Sequence, residues 1–90
     1  MGLDETLVAL RAFGADLDAL SEAMAASLLA LRAEHEQVSA LWQDEFSRAY
    51  RLRWEGLEQG LEDYLGAQAP RYQAFLASRI AHLGRYLGDE

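Results

Sequence analysis

The stretch that decides the fold is Ala40-Leu41-Trp42-Gln43-Asp44-Glu45-Phe46, which divides the chain into two arms of matched length. On each side of it, roughly forty residues carry apolar side chains at helical spacing. Asp44 is a good N-cap for a second helix, since its carboxylate can accept from the backbone amides of Phe46 or Ser47. Trp42 and Asp44 therefore define a hinge at about residues 41–44 between two antiparallel helices.

The first arm reads as one helix over about residues 4–40. Its apolar positions follow steps of three, four and seven, which is the spacing of a heptad seam. The second arm reads as a helix over about residues 45–87. With the reversal near Gln43, residues whose numbers sum to about 86 are expected to face each other. The positions that carry the seam of the first arm are Leu7, Leu10, Leu17, Met24, Leu28, Leu31, Val38 and Leu41.

The composition favours an all-α fold in a single domain covering residues 1–90. The chain has 16 Ala and 16 Leu against two Val, one Ile and one Thr. Straight-chain and small residues lose little rotamer freedom in a helix, whereas β-branched residues suit strands.

Pro70 is the one strong helix breaker. Its ring clashes with the carbonyl four residues earlier and removes one helical hydrogen bond. The second helix is expected either to kink near Pro70 or to end there and restart. A kink is favoured, because the apolar pattern is expected to resume in phase at Tyr72, Phe75 and Leu76.

Two helices alone leave much apolar surface uncovered, so dimerisation into a four-helix bundle is expected. The segment from Ala23 to Leu31 is apolar nearly all round, which indicates burial on several sides. A homodimer is favoured, and a heterodimer with a similar small helical protein is the alternative. The residues expected in the core or the dimer contact are Met24, Leu28, Leu31, Phe46, Tyr50 and Trp54.

The aromatic residues near the hinge have two interpretations. Trp42, Phe46, Tyr50 and Trp54 include i+4 steps down one face. Trp and Tyr dominate the energetics of many interfaces, so the group could form a partner-binding patch. The favoured interpretation is a core cluster that fixes the hairpin end.

Charge argues against a nucleic-acid partner. The formal net charge is −7, and all of it falls in residues 1–45, which hold nine acids against two arginines. Such a chain repels phosphate backbones. The local arginines Arg48, Arg51 and Arg53 are expected to pair with the acidic first helix.

No catalytic, cofactor-binding or metal-binding site is predicted, and the protein is not expected to be an enzyme. The only histidines, His35 and His82, are expected far apart, and the positions three residues before them hold Arg32 and Arg79. The serines carry no nucleophile motif, and no glycine-rich phosphate loop is present. Cysteine is absent from the sequence.

Localisation stays open between the cytoplasm and secretion by a route that needs no signal peptide. Asp4 and Glu5 lie where a signal peptide would need a basic start and an apolar core. No apolar run approaches the ~20 residues that span a bilayer.

Two matched helical arms with a Trp at the hinge resemble the WXG superfamily, the early-secreted-antigen-like proteins of type VII secretion and their relatives. The family hinge is Trp-x-Gly, and here it is Trp42-Gln43-Asp44. The family export signal is Tyr-x-x-x-Asp/Glu, which Tyr86 to Glu90 fits. The resemblance implies a dimeric hairpin that is not an enzyme and acts as a secreted substrate or adaptor. The alternative is a non-secreted structural or regulatory bundle partner in a larger cytoplasmic complex.

Overall fold

The protein is an all-α antiparallel hairpin, seen in a computed structural model that describes residues 2–88. Helix α1 spans Leu3–Leu41, α2 spans Phe46–Asp63 and α3 spans Ala69–Tyr86, with a π-helical segment at Tyr64–Gln68 between the last two. Residues 2–88 contain no β-strand. We call α2, the π-helical segment and α3 together the second arm.

The hairpin is a rod. Its principal extents are 64 × 21 × 16 Å and its radius of gyration is 19.6 Å. A compact domain of this length would have a radius of gyration of about 12 Å. Two long helices side by side therefore make up the whole described chain, and no third layer covers them.

Pro70 is accommodated inside a continuous second arm. The amide of Ala69 donates to the carbonyl of Tyr64, five residues earlier, instead of four. The backbone stays right-handed helical on both sides, with φ −62° and ψ −43° at Asp63 and φ −62° and ψ −47° at Ala69. A π-helical turn holds one more residue than an α-helical turn. The irregularity expected at the proline thus takes the form of a widened turn just before it, without a chain break.

The widened turn also corrects the expectation that the apolar pattern resumes in phase. The positions that face α1 recur every seven residues up to Leu61, and again every seven residues from Ala69 onward. The step between Leu61 and Ala69 is eight residues, and it contains the π-helical segment. One inserted residue keeps both halves of the arm turned toward α1. The buried or half-buried residues of this series are Ser47, Trp54, Leu61, Ala69, Leu76 and Leu83.

The matching series on α1 also has a spacing of seven. It runs through Leu7, Gly14, Ser21, Leu28 and His35, all buried or half-buried. The large apolar side chains that reach full burial are few, because each helix touches only one neighbour. The buried apolar residues are Leu7, Leu28, Ala69 and Leu76.

The residues that pair between the arms have numbers whose sum is, on average, a little larger than expected. Phe13 lies beside Tyr72, His35 beside Trp54, and Arg32 beside Glu62. The residue numbers of these pairs sum to 85, 89 and 94, against the expected value of about 86. The shift arises because α2 begins only at Phe46, so the reversal is centred near Asp44.

Replacing Gly14 with Ala should stabilise the hairpin. A Cβ built at Gly14 would lie 4.0 Å from Cδ1 of Ile80, which is ordinary van der Waals contact. In a helix interior, Ala is also more stable than Gly by about 1 kcal/mol. We expect the melting temperature to rise by roughly 4–8 °C.

Gly60→Ala is the matched control, since a Cβ there meets nothing within 4 Å. It should show the propensity gain alone, measured by thermal unfolding followed by circular dichroism. A Gly14→Ala variant less stable than the parent would mean that α1 and α3 approach more closely than the Ile80 contact indicates.

Candidate protein interaction surface

The hinge is built from backbone and side-chain caps. Asp44 Oδ1 accepts from the amides of Phe46 at 2.9 Å and Ser47 at 3.2 Å, the two amides named from the sequence. The buried Ser47 hydroxyl donates back to the Asp44 carbonyl at 2.6 Å. At the end of α1, the Trp42 amide donates to the Val38 carbonyl. These bonds satisfy backbone groups that helix ends otherwise leave unpaired.

Behind the hinge, His35 sits within an aromatic cluster. Its ring stacks on Trp54 at a centroid distance of 4.7 Å, and its Nδ1 lies 2.8 Å from the Tyr50 hydroxyl. The Trp42 ring lies 5.3 Å from the Tyr50 ring. Trp42, Tyr50 and Trp54 are half-buried in this cluster. The register expected from the sequence, with residue numbers summing to about 86, already puts His35 opposite about Arg51 and so beside Tyr50.

Phe46 is the most exposed of the four aromatic residues at this end. Its side chain is 67% exposed. It shares a groove of about 430 Å³ along α2 with the other three, and the remaining lining residues are Ala49, Arg53 and Leu57. The small Ala49 between larger neighbours gives the groove the shape of a socket. The four aromatic residues grouped from the sequence thus line one groove, and two of them, Tyr50 and Trp54, also contact His35.

The groove belongs to a longer apolar surface on one side of the hairpin. In each arm, two exposed apolar residues immediately precede residues that face the other arm, as Phe13 precedes Gly14, and two more follow such residues by three positions, as Tyr72 follows Ala69. One residue is a rotation of about 100° around a helix. Because the arms are antiparallel, the same rotation in each arm leads to the same side of the hairpin. The 6.2 Å contact between the Phe13 and Tyr72 rings bridges the arms on that side.

We call this surface the open face. Its members are exposed in the single chain and extend from the hinge end along the rod to the level of Phe13 and Phe75. They are Phe13, Leu20, Leu31 and Val38 on α1, and Phe46, Leu57, Tyr72 and Phe75 on the second arm.

The opposite side of the hairpin carries an ion-pair cluster between the arms. Arg32 Nε donates to Glu58 at 2.7 Å, and another nitrogen of the same guanidinium donates to Glu62. The hydrogen bond to Glu58 raises the pKa of Arg32 above its ordinary value. This ion pair joins an arginine of α1 to acids of α2, the reverse of the expected direction. Arg51, expected to pair with acids of α1, instead donates to the Trp42 carbonyl at 3.3 Å.

The remaining residues named from the sequence occupy three settings. Leu28 is buried between the arms, and Met24 is half-buried beside it. Leu31 lies on the open face, where its side chain is 39% exposed. Within the segment from Ala23 to Leu31, Leu29 points to solvent and is 67% exposed. The burial on all sides that this segment suggested is therefore absent from the single chain.

The predicted export signal is described only in part. Tyr86 is the last residue of α3, and its side chain is 74% exposed. Gly88 has a left-handed φ of 75°, which ends the helical geometry at that point. Glu90 lies outside the described residues. The shared helix face of Tyr86 and Glu90 therefore stays a prediction.

The sequence did not predict that the exposed apolar residues of the open face form one surface. It assigned Tyr72 and Phe75 to the inward pattern of the second arm. Both residues are more than half exposed. The available signal was the period of seven through Ser47, Trp54 and Leu61, which breaks by one residue before Ala69.

Replacing Asp44 with Ala should destabilise the protein by about 0.5–2 kcal/mol, because two amides lose their acceptor. Trp42→Ala should cost roughly 1.5–2.5 kcal/mol, about half the value for a fully buried ring, since Trp42 is only half-buried. Thermal and chemical unfolding, with Trp54 as the remaining fluorophore, measures both. Two variants as stable as the parent but unable to bind a partner would identify the hinge as a recognition surface.

Within residues 2–88, no group of three or more His, Asp or Glu side chains is arranged to hold a metal ion. No helix in this range combines the length and apolar character needed to cross a membrane. No family model, curated protein or solved structure matches the chain. The relation to WXG proteins therefore stays a prediction from the hinge and the matched arms.

Proposed function

We propose that this chain is a non-enzymatic protein–protein interaction module whose open face packs against a second helical hairpin. The observation that carries the proposal is the alignment of eight large, exposed apolar side chains on one side of the rod. Contiguous apolar surface of this extent on a small protein marks an interaction site. Packing against a second hairpin would give a four-helix bundle, in which each helix has two neighbours.

The size of the open face approaches that of a stable interface. Aromatic side chains bury 150–250 Å² each when fully covered, so the four half-exposed aromatic members offer roughly 400 Å². The four aliphatic members add to this and bring the open face toward the size of a standard interface. A standard interface takes about 800 Å² from each partner. The apolar area of the open face at roughly 25 cal/mol per Å² offers a driving force that the thin core within one hairpin lacks.

The proposed role is that of a WXG-like secreted substrate or adaptor acting as a dimer, with a second copy or a similar small helical chain as partner. Support comes from the two matched arms and the Trp42 hinge between them. The exposed Tyr86 at the end of α3 supplies the first residue of the export pattern.

The second candidate is a non-secreted structural or regulatory bundle partner in a larger cytoplasmic complex. The end of α3 favours it, because helical geometry stops at Gly88 before the acidic residue of the export pattern is reached. The hinge favours it too, since Asp44 serves as an N-cap where the family has glycine. Both candidates use the open face in the same way.

Leu57→Glu should abolish association. Leu57 lies in the groove of the open face and is 53% exposed in the single chain. A carboxylate buried there without a partner would cost several kcal/mol. Sedimentation equilibrium at micromolar concentration should give about twice the chain mass for the parent and the monomer mass for the variant.

Leu52→Glu is the matched control. Leu52 lies on the same helix, about 140° from Leu57 around its axis, and is 63% exposed. It should sediment like the parent. With a parent that dimerises, equal behaviour of the two variants would contradict a role for the open face. Leu28→Glu would report folding instead, because Leu28 is buried within the hairpin itself.

Tyr86→Ala should abolish export if the protein is a secreted substrate, and should leave helicity and sedimentation unchanged. The exposed ring of Tyr86 lies beyond the open face, so its loss removes little packing. Immunoblots of culture supernatant and cell pellet measure the effect, and the neighbouring Arg85→Ala is the control. Normal export of the Tyr86 variant would make the export pattern a coincidence, and absence of the parent from the supernatant would favour the cytoplasmic candidate.

A further inference from the structure

We infer that the occupant of the open face is a second copy of this chain, packed with the two hinges at the same end of the bundle. The inference rests on the proposed function, and it adds the partner and its orientation. Two twofold arrangements bring one open face against another. With hinges together, each α1 lies on the partner's second arm. With hinges at opposite ends, each α1 lies on the partner's α1.

Charge separates the two arrangements. Helix α1 carries seven acidic residues against two arginines, a formal charge of −5. The second arm, from Phe46 to Tyr86, carries six arginines against four acidic residues, a formal charge of +2. Neighbouring helices in a bundle lie 8–10 Å apart, which is about the Debye length at physiological salt. Charges on adjacent helices therefore repel or attract each other appreciably, whereas charges on diagonally opposite helices are more strongly screened.

Hinges together place each acidic α1 beside a basic second arm. With hinges apart, the two α1 helices, each of formal charge −5, lie side by side, and so do the two second arms, each of formal charge +2. The first arrangement gains attraction at both new contacts, and the second meets repulsion at both. Electrostatic complementarity of this kind sets the orientation and specificity of an interface more than its raw affinity.

The edges of the open face carry the same asymmetry. On α1, Asp16 lies between Phe13 and Leu20 in sequence, and Glu34 between Leu31 and Val38. Each is three residues after one apolar member and four before the next, so it stands at the rim of the face. On the second arm, Arg53 lines the groove four residues before Leu57. Arg79 holds its guanidinium 5.2 Å from the centre of the Phe75 ring.

Glu34 and Arg53 also lie at the same level along the long axis of the rod. His35 contacts both Tyr50 and Trp54, so its neighbour Glu34 lies level with Arg53. A twofold axis parallel to the helices keeps every residue at its own height. With hinges together, Glu34 of each chain therefore faces Arg53 of the other copy. With hinges apart, Glu34 faces the α1 of the other copy near its start, and this match is lost.

The shape of the groove agrees with this arrangement. Val38, on α1, is level with the region of Ala49, because His35, three residues before Val38, contacts both Tyr50 and Trp54. With hinges together, Val38 of the second copy comes over the socket between Phe46 and Arg53 that Ala49 leaves open. A β-branched side chain in a socket floored by alanine is the knob-into-hole contact of helical bundles.

Spin labels give the direct test, because the chain contains no native cysteine. Glu45, in the hinge, and Arg85, near the other end of the rod, are exposed. Glu45→Cys and Arg85→Cys are labelled separately with nitroxide, and distances between copies are measured by pulsed electron resonance. With hinges together, each variant should give a distance below about 30 Å, since helices in the bundle lie 8–10 Å apart. With hinges apart, each distance should approach the 64 Å length of the rod.

Long distances in labelled dimers would overturn the orientation and leave the pairing of open faces standing. A parent protein that stays monomeric at micromolar concentration would overturn the second copy as occupant. In that case the parent, Leu57→Glu and Leu52→Glu are compared as baits for a different protein of the same cells, and loss of that partner with Leu57→Glu alone would keep the proposed function. Failure of this inference and failure of the proposed function therefore give different results.

Charge reversal supplies an independent test. Glu34→Arg and Arg53→Glu should each raise the dimer dissociation constant roughly two- to thirtyfold, because each change acts at two symmetric rim contacts. The double variant should recover most of the parent affinity. Glu36→Arg and Arg48→Glu are the controls for total charge, since both residues are exposed and lie away from the open face. A double variant weaker than either single variant would show that Glu34 and Arg53 do not meet.

Discussion

A pair of helices has only one line of contact, and this constraint governs the whole molecule. Each helix can bury a single stripe, so the buried apolar residues are limited to Leu7, Leu28, Ala69 and Leu76. The sequence nevertheless supplies apolar side chains for two stripes on each arm. The second stripe has no partner within the chain, and its members form the open face. The proposed association of two hairpins follows from this surplus.

The one-residue offset between the two stripes explains why the open face is continuous. Had the exposed apolar residues preceded the inward residues on one arm and followed them on the other, they would lie on opposite sides of the hairpin. Phe13 with Gly14 and Phe46 with Ser47 show the same order on both arms. The π-helical segment preserves that order through Pro70, because one extra residue per turn compensates for the eight-residue step between Leu61 and Ala69.

The hinge end combines two kinds of stabilisation. The Asp44 carboxylate and the Ser47 hydroxyl hold the turn through directional hydrogen bonds. The rings of Trp42, Tyr50 and Trp54 close the hairpin around His35. Midway along α1, by contrast, the buried Ser21 hydroxyl has no hydrogen-bond partner among the described residues. A polar group left unpaired costs about 1–3 kcal/mol, so the middle of the seam is weaker than the hinge end.

The sequence by itself determined the all-α hairpin, its two arms and the caps of Asp44, because helical periodicity and capping are local properties of a few neighbouring residues. It also placed an irregularity near Pro70, since the proline ring acts on its own turn. Only the tertiary structure decided that the irregularity is a widened turn, that His35 stacks on Trp54, and that Arg32 pairs with acids of α2. The register between residues far apart in sequence sets those contacts. The open face has the same origin, because whether Tyr72 and Phe75 face inward or outward depends on the phase that one inserted residue sets against α1.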